Sequence, residues 1–362
     1  MSQIVSIGTA VPDYKYSQDE ILQYMLSVMP SEAIKQKRLL LHIFKKSEIA
    51  NRYSVIPDFN LHNTSKDLFK SIDAPASIED RMLIFNQKAP TLLTNAVNKC
   101  LKDIDRKAIT HIITVTCTGL SAPGLDVDLV EQLGFADDVQ RSSVNFMGCH
   151  GGFHALRQAF YICSHNPIAN VLIADVELST IHFQNNMSSD NMLANTLFAD
   201  GAAAVLVSGE NSQYVGDYNI TNFYSKLVLK GKAAMAWKIS SHGFLMNLST
   251  QVPELISEDF HQILKPIFED DLPDCDLDEV LWAFHPGGVR VLESITKIAK
   301  IKKEQMKASY EVLNRYGNMS SCTIFFVLER LMEKMKATRK PVIAAGFGPG
   351  LSMEAMILKS NK

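Results

Sequence analysis

Val144-Asn145-Phe146-Met147-Gly148-Cys149-His150-Gly151-Gly152-Phe153 changes character halfway along. A β-branched start, Val144–Phe146, reads as the end of a strand. Gly148, Gly151 and Gly152 mark a tight turn, and an apolar-periodic run over 152–162 reads as a helix. A cysteine on such a strand–turn–helix corner sits close to a helix N-terminus, where backbone N–H groups and the helix dipole favour a thiolate. A buried structural cysteine is the plain alternative for Cys149, and this stretch alone does not exclude it.

The same corner recurs. A strand over His111–Thr116 ends at Cys117-Thr118-Gly119, Cys149 follows 32 residues later, and Phe198-Ala199-Asp200-Gly201 leads into another strand. In the second part of the chain a strand over Val280–Phe284 ends at His285-Pro286-Gly287. Asn318 follows 33 residues later at a helix start, and Gly346-Phe347-Gly348-Pro349-Gly350 leads into a strand. Further strands are expected at Ile4–Ile7, Val171–Ala174, Ala203–Val207, Val342–Ala345 and Met353–Leu358. Helices are expected at Thr91–Ile104, Val127–Leu133 with Gly134 as its cap, Gly152–Ile162, Glu254–Phe268 and Ser320–Met335. Ser17-Gln18-Asp19-Glu20 is a capping box opening another helix, stopped by Pro30. Short strands alternating with helices define an α/β protein. The echo predicts two duplicated halves, 1–215 and 216–362, whose functional residues meet at a central seam, since open α/β sheets place sites at strand ends.

Composition narrows the classes. The chain has 362 residues, 46% hydrophobic and 21% charged, with a net charge of −3. That balance points to no nucleic-acid partner, and no apolar run nears the ~18–20 residues of a membrane span. The opening Met1–Gly8 reads as a strand and lacks the basic head and apolar stretch of a signal peptide. Six cysteines without a C-x-x-C pair argue against a disulfide framework or a zinc site and fit a reducing cytoplasm.

Cys149, His285 and Asn318 together supply a nucleophile, a base and an amide donor, a set suited to acyl-thioester chemistry. A neutral His285 can take the Cys149 proton. Asn318 admits two readings, a helix N-cap or a donor to a developing oxyanion. The glycines of 346–350 open onto a strand and so make no dinucleotide fingerprint; they read as a stiffened loop. The basic residues Lys35, Lys37, Arg38, Lys45 and Lys46 fall on one helical segment, a solvated face or a screen for phosphates.

Five ordered motifs carry a resemblance across nearly the whole chain: Gly-Cys-His-Gly-Gly, Phe-Ala-Asp-Gly-Ala-Ala-Ala, His-Pro-Gly-Gly, Tyr-Gly-Asn-Met-Ser-Ser and Gly-Phe-Gly-Pro-Gly. They resemble the type III polyketide synthases, the chalcone-synthase-like members of the thiolase superfamily. Thr118–Gly124 looks more like the bacterial and fungal members, the alkylpyrone and alkylresorcinol synthase type, than the plant ones. The resemblance implies a thiolase-like αβαβα sandwich acting as a homodimer. It implies that an acyl-CoA starter is held on Cys149, with malonyl-CoA decarboxylated beside His285 and Asn318. Repeated Claisen condensation and ring closure to a pyrone or resorcinol would follow, with no cofactor beyond the CoA thioesters and no metal.

The resemblance also places a substrate pocket at Phe198, Met246, His182, Cys117, Trp237, Ser320, Gly348 and Pro349. Phe198 matches a gatekeeping phenylalanine, while the second gatekeeper falls on Met246. His182 and Trp237 fall where plant chalcone synthases carry smaller residues and should reshape the cavity; Cys117 and Ala122 are small. Lys46 matches a CoA contact, His42 and Leu39 replace two others, and Lys45, Arg38 or Arg290 are substitutes. A single-condensation ketoacyl synthase III-like enzyme using a carrier-protein extender shares the same three residues. A non-catalytic acyl-binding protein of the same fold is the more distant alternative.

Overall fold

The computed structural model describes residues 2–63, 65–70 and 75–361. Its strands are β1 (Ser2–Ala10), β2 (Tyr14–Ser17), β3 (Asn51–Ser54), β4 (His111–Thr116), β5 (Gln140–Asn145), β6 (Asn170–Leu178) and β7 (Asp200–Gly209). They continue as β8 (Tyr218–Leu227), β9 (Met235–Ser240), β10 (Gly243–Leu248), β11 (Leu281–Phe284), β12 (Val342–Gly348) and β13 (Ser352–Ser360). Nine of them form one sheet in the order β11-β12-β13-β8-β1-β7-β6-β4-β5.

That order contains the duplication. In the first half β4 and β6 are parallel, β6 and β7 antiparallel, and β7 and β1 antiparallel. In the second half β11 and β12 are parallel, β12 and β13 antiparallel, and β13 and β8 antiparallel. The halves join through a short pairing of Ser2–Ile4 with Tyr218–Ile220. Only the first half carries an extra outer strand, β5.

Strand residues alternate between two cores, so the strands are apolar on both faces, as sheets covered on both sides must be. Ile113, Val115 and Ile173 of the first half, with Ala283, Val342 and Ala344 of the second, pack on helices Gly151–His165 and Thr323–Thr338. The alternate residues Ile112, Leu172 and Ala174 pack outward on helix Ile78–Cys100. On the other flank Trp282, Phe284 and Ile343 share a core with helices Val252–Asp259 and Val289–Ile298. The result is the αβαβα sandwich. Each buried leucine- or phenylalanine-sized side chain in it contributes ~1.5–3 kcal/mol. The two central helices meet at their starts, where a Cβ on Gly152 would stand 2.9 Å from the Phe325 ring and 3.1 Å from the Ser321 carbonyl. Any larger residue would push the helix starts apart.

Several expectations need correction. The helix expected from Thr91 begins at Ile78 and runs through Pro90 to Cys100, because Pro90 is buried inside it. The helix expected over 254–268 is broken into Val252–Asp259 and His261–Pro266, followed by a wider turn at Ile267–Asp271. Gly346–Gly348 is the buried end of β12 and not a loop; the turn begins at Pro349. The capping box stands as read: Ser17 accepts the Glu20 N–H, and Glu20 accepts the Ser17 N–H at 2.7 Å. Among the described residues no helix is long and apolar enough to cross a membrane.

Candidate active site

The corner residues of both halves converge on one cavity of about 750 Å3. Cys149, His285, Asn318 and Ser320 line it, and all four are buried. Lys45, Lys46 and Arg290 line it as well but are exposed, so the cavity runs from a basic rim to a buried floor. Arg290 is already paired with Glu254 at 2.9 Å. No group of His, Cys, Asp and Glu among the described residues has a metal-holding arrangement.

Cys149 immediately precedes His150, the N-cap of helix Gly151–His165. Burial pushes its thiol up to about 12; the Ser320 hydroxyl and Asn318 amide beside it pull the other way, and buried Glu177 adds to the rise. His285 ends β11, its N–H bonded to the Ala345 carbonyl at 2.8 Å. Neither of its ring nitrogens has a hydrogen-bond partner among the described residues, and burial drives its imidazole down to about 3. Burial thus favours the neutral form of both groups.

Asn318 resolves the two readings that its sequence left open. Its backbone is bonded on both sides to the Phe198 segment, with its N–H on the Leu197 carbonyl and its carbonyl on the Ala199 N–H, each at 2.9 Å. Its Oδ1 accepts the Ser320 N–H at 2.9 Å, closing a local turn just ahead of the short helix Ser320–Cys322; the N-cap of that helix is Met319, so the cap reading of Asn318 is corrected. That bond orients the amide: the Nδ2 group must point the other way, where it donates to the Gly287 carbonyl at a long 3.4 Å and lies beside the Cys149 thiol. The oxygen of Asn318 closes the turn, and its donor is turned toward the cavity.

Behind the cavity stands a wall. Trp237 Nε1 donates to the Cys117 carbonyl at 2.9 Å, and His182 Nε2 bonds the Thr118 carbonyl at 2.7 Å. The His182 ring stacks on Phe244 at 4.1 Å and its Nδ1 accepts the Phe244 N–H at 3.2 Å. Cys117, Phe198, Trp237, Met246 and Pro349 face the main cavity. His182 lies behind them, lining a second pocket of about 40 Å3. Gly348 faces neither; a Cβ there would stand 2.7 Å from the His150 ring. The pocket expectation is corrected for these two residues, since one is screened by the wall and the other is spacing for a histidine.

A buried carboxyl pair beneath the site escaped the sequence reading. Asp175 and Glu177, two apart in the apolar strand β6, both lie 2.6–2.7 Å from the Ser321 hydroxyl. One hydroxyl has one hydrogen, so one of the carboxyls must carry a proton and donate it to that oxygen. Glu177 also accepts the Cys117 N–H at 3.0 Å and the Thr118 hydroxyl at 2.8 Å, while Asp175 Oδ2 has no partner among the described residues. The proton therefore rests on Asp175. Two acids at alternate positions of a wholly apolar run were the available signal.

The site and sandwich match a known family from end to end. Models of the chalcone and stilbene synthases match at residues 1–211 for the N-terminal domain and 220–362 for the C-terminal domain. The chain belongs to the chalcone and stilbene synthase family. It is 26% identical over 367 residues to type III polyketide synthase C of Arabidopsis thaliana, covering 99% of this chain and 94% of that one. It is 28% identical to probable polyketide synthase 1 of Dictyostelium discoideum, again over 99% of this chain but only 11% of that much longer protein. PKS-I of the brown alga Ectocarpus siliculosus superimposes with a TM-score of 0.93 at 26% identity, covering 99% of this chain and 98% of that one. This chain is thus a type III polyketide synthase-like acyltransferase, with the thiolase-type sandwich of that family.

Proposed function

We propose that this enzyme loads an acyl-CoA starter onto Cys149, extends it repeatedly with malonyl-CoA, and releases a pyrone or resorcinol-type polyketide. His285 accepts the thiol proton as Cys149 attacks the starter thioester. His285 Nε2–H and the Asn318 amide then hold the malonyl thioester carbonyl. Loss of CO2 leaves an enolate whose oxygen charge those two donors stabilise, and the enolate carbon attacks the acyl–Cys149 carbonyl. Because decarboxylation generates the carbanion, the cycle calls on no strong base and on no group beyond the two CoA thioesters. The observation that carries this reading is the orientation of Asn318, whose turn-closing bond to Ser320 turns its amide donor toward the cavity that His285 and Cys149 also line.

The lining supports an aliphatic starter, since apolar side chains dominate it and its volume falls within the ~300–1,000 Å3 usual for small-molecule sites. The exposed Lys45 and Lys46 at the rim are the preferred contacts for CoA phosphates, ahead of Arg290, which Glu254 already occupies. A homodimer is supported by β5, an edge strand paired only with β4, five of whose six residues are exposed. Sedimentation of the purified chain measures that state directly.

Mass spectrometry of products from malonyl-CoA and acyl-CoA starters of graded length tests the reaction. A starter carrying two or three acetate units is the expected product. A single extension, or activity only with a carrier-protein extender, would instead move the enzyme to the ketoacyl synthase III-like reading. Failure of Cys149 to acylate with any starter would leave an acyl-binding protein without catalysis.

A further inference from the structure

We infer that helix Gly151–His165 carries a proton path behind Cys149, from Glu354 through His154 and His150 to His285. The inference rests on the condensation cycle proposed above, whose charge balance requires a proton supply. Malonyl-CoA arrives with a carboxylate. Its C–C bond breaks, CO2 leaves, and the electron pair forms the new C–C bond to the acyl carbon. The C–S bond to Cys149 breaks with its pair on sulfur. CO2 and the ketoacyl thioester are neutral, so the charge ends on a thiolate, first that of Cys149 and then that of the CoA it displaces. One proton per extension must come from solvent. His285 is 1% and Cys149 9% exposed, and a bound CoA thioester fills the mouth they would otherwise use.

His150 is a second buried imidazole with neither ring nitrogen partnered among the described residues, and it is 2% exposed. Buried polar groups are as a rule partnered, so a reason for keeping these two rings is called for. The two rings are neighbours over one face of β12. A Cβ on Gly348 would stand 2.7 Å from the His150 ring, and one on Gly346 would stand 3.5 Å from His285 Cβ. His285 is among the groups that act on His150 across this face, and a bridging water between the two rings would complete the link. The bare backbone at Gly348 is what admits His150; Gly346 makes room for the Phe153 ring, 2.6 Å from a Cβ there, with His285 in ordinary contact beside it.

From His150 the path continues outward. His154 lies one helical turn on, its ring centroid 4.8 Å from that of His150. Its Nε2 is 3.9 Å from Glu354 on β13, a carboxylate also held by Arg157 and Ser225. The His154 side chain keeps 22% of its surface exposed, so the path meets water at that ring, although its Nε2, facing the 3% exposed Glu354, is itself buried. His150 is faced by His154 and Arg157 from its own helix and by His285 from β11; His154 is faced by Glu354 and Arg157. Burial holds His150 neutral, down to about 3, the state in which one ring nitrogen donates and the other accepts.

His150→Phe fills the same space without nitrogens and tests the path. Loading of Cys149 from acyl-CoA takes up no net proton, because the thiol proton leaves with the CoA, whereas each extension takes up one. Loading followed by intact-protein mass should stay within about twofold of the parent enzyme. Extension followed by CO2 release should fall roughly tenfold or more, fall further with each step from pH 6 to 9, and recover with added imidazole. Should that variant melt early, His154→Phe, at a less buried position, carries the same comparison. Extension equal to the parent at every pH would overturn the path, as would an equal, pH-independent loss of loading and extension with no rescue. If the parent enzyme itself neither loads nor extends any starter, the proposed function falls first; a parent that turns over beside an unaffected variant leaves the function standing and removes only the path.

Discussion

At the end of β4, Cys117 is tied down: its N–H donates to Glu177 at 3.0 Å and its sulfur accepts the Gly148 N–H at 2.8 Å. At the matching end of β11, His285 has both ring nitrogens without partners among the described residues. The second corners differ in the same sense. Ser321, beside Asn318, is drawn into the Asp175–Glu177 network of the first half, while the Asn318 amide is left with one long contact. The duplicated halves have thus diverged in how far their polar groups are satisfied. At its corners the first half is bonded through Cys117 and Ser321, although His150 and Asp175 Oδ2 nearby have no partner among the described residues. The second presents unpaired donors, available for charge that develops only during reaction.

Cys149→Ala tests the first half and should have the largest effect. Product formation should drop at least about a thousandfold, because no covalent intermediate can form. The protein mass should show no acyl adduct after incubation with starter. Turnover that persists in this variant would remove the nucleophile from the first half altogether.

Asn318→Asp tests the other side and separates its two jobs. A carboxylate still accepts the Ser320 N–H, so the turn survives and the melting temperature should stay near that of the parent. The donor is lost, and extension should fall by ~10² to 10³. Acylation of Cys149 should remain detectable. Loss of acylation together with extension would show that the halves do not divide the work as described.

Trp237→Ala sharpens the comparison at the wall. The indole hangs from the Cys117 carbonyl and separates the main cavity from the pocket lined by His182 and Phe244. Removing it should join the two spaces and raise kcat/KM for long acyl starters roughly tenfold relative to short ones. An unchanged starter profile would mean that this wall does not set chain length.

How far the sequence revealed this division depends on the element. Strand β4 was legible to its ends because His111–Thr116 is an unbroken β-branched run, and the capping box at Ser17 because its spacing is local. Strand β8 was missed because Tyr218–Leu227 alternates polar and apolar residues and is largely half-exposed. Gly346–Gly348 read as a loop because three glycines in five residues usually mean one. Here the missing side chains make room for His150 and Phe153, which come from 190 or more residues away and cannot be seen locally. Cys149, His285 and Asn318 were legible as motifs, but the orientation of the Asn318 amide depends on a single bond to Ser320. His182 was expected in the pocket, and only its stacking on Phe244, a contact 62 residues distant, places it behind the wall.

Asp175→Asn should have the smallest effect and probes the carboxyl network that ties Ser321 to the first half. Burial first, and the charge of Glu177 second, push the Asp175 carboxyl well above its ordinary value. The folded protein therefore keeps a proton where the unfolded chain has lost it. By linkage, the stability that this group confers is complete below the ordinary carboxyl range of about 4 and declines as pH rises through the folded value. An asparagine keeps a donor for the Ser321 oxygen at every pH and has no proton to lose. Between acid and mildly alkaline pH, the melting temperature of the parent should fall by about 2 °C more than that of the variant. Parallel curves would mean that Ser321 does not bridge a shared proton. The rigidity of the first half would then rest on the neutral bonds of Thr118 and Gly148, and its contrast with the second half would be one of packing and not of charge.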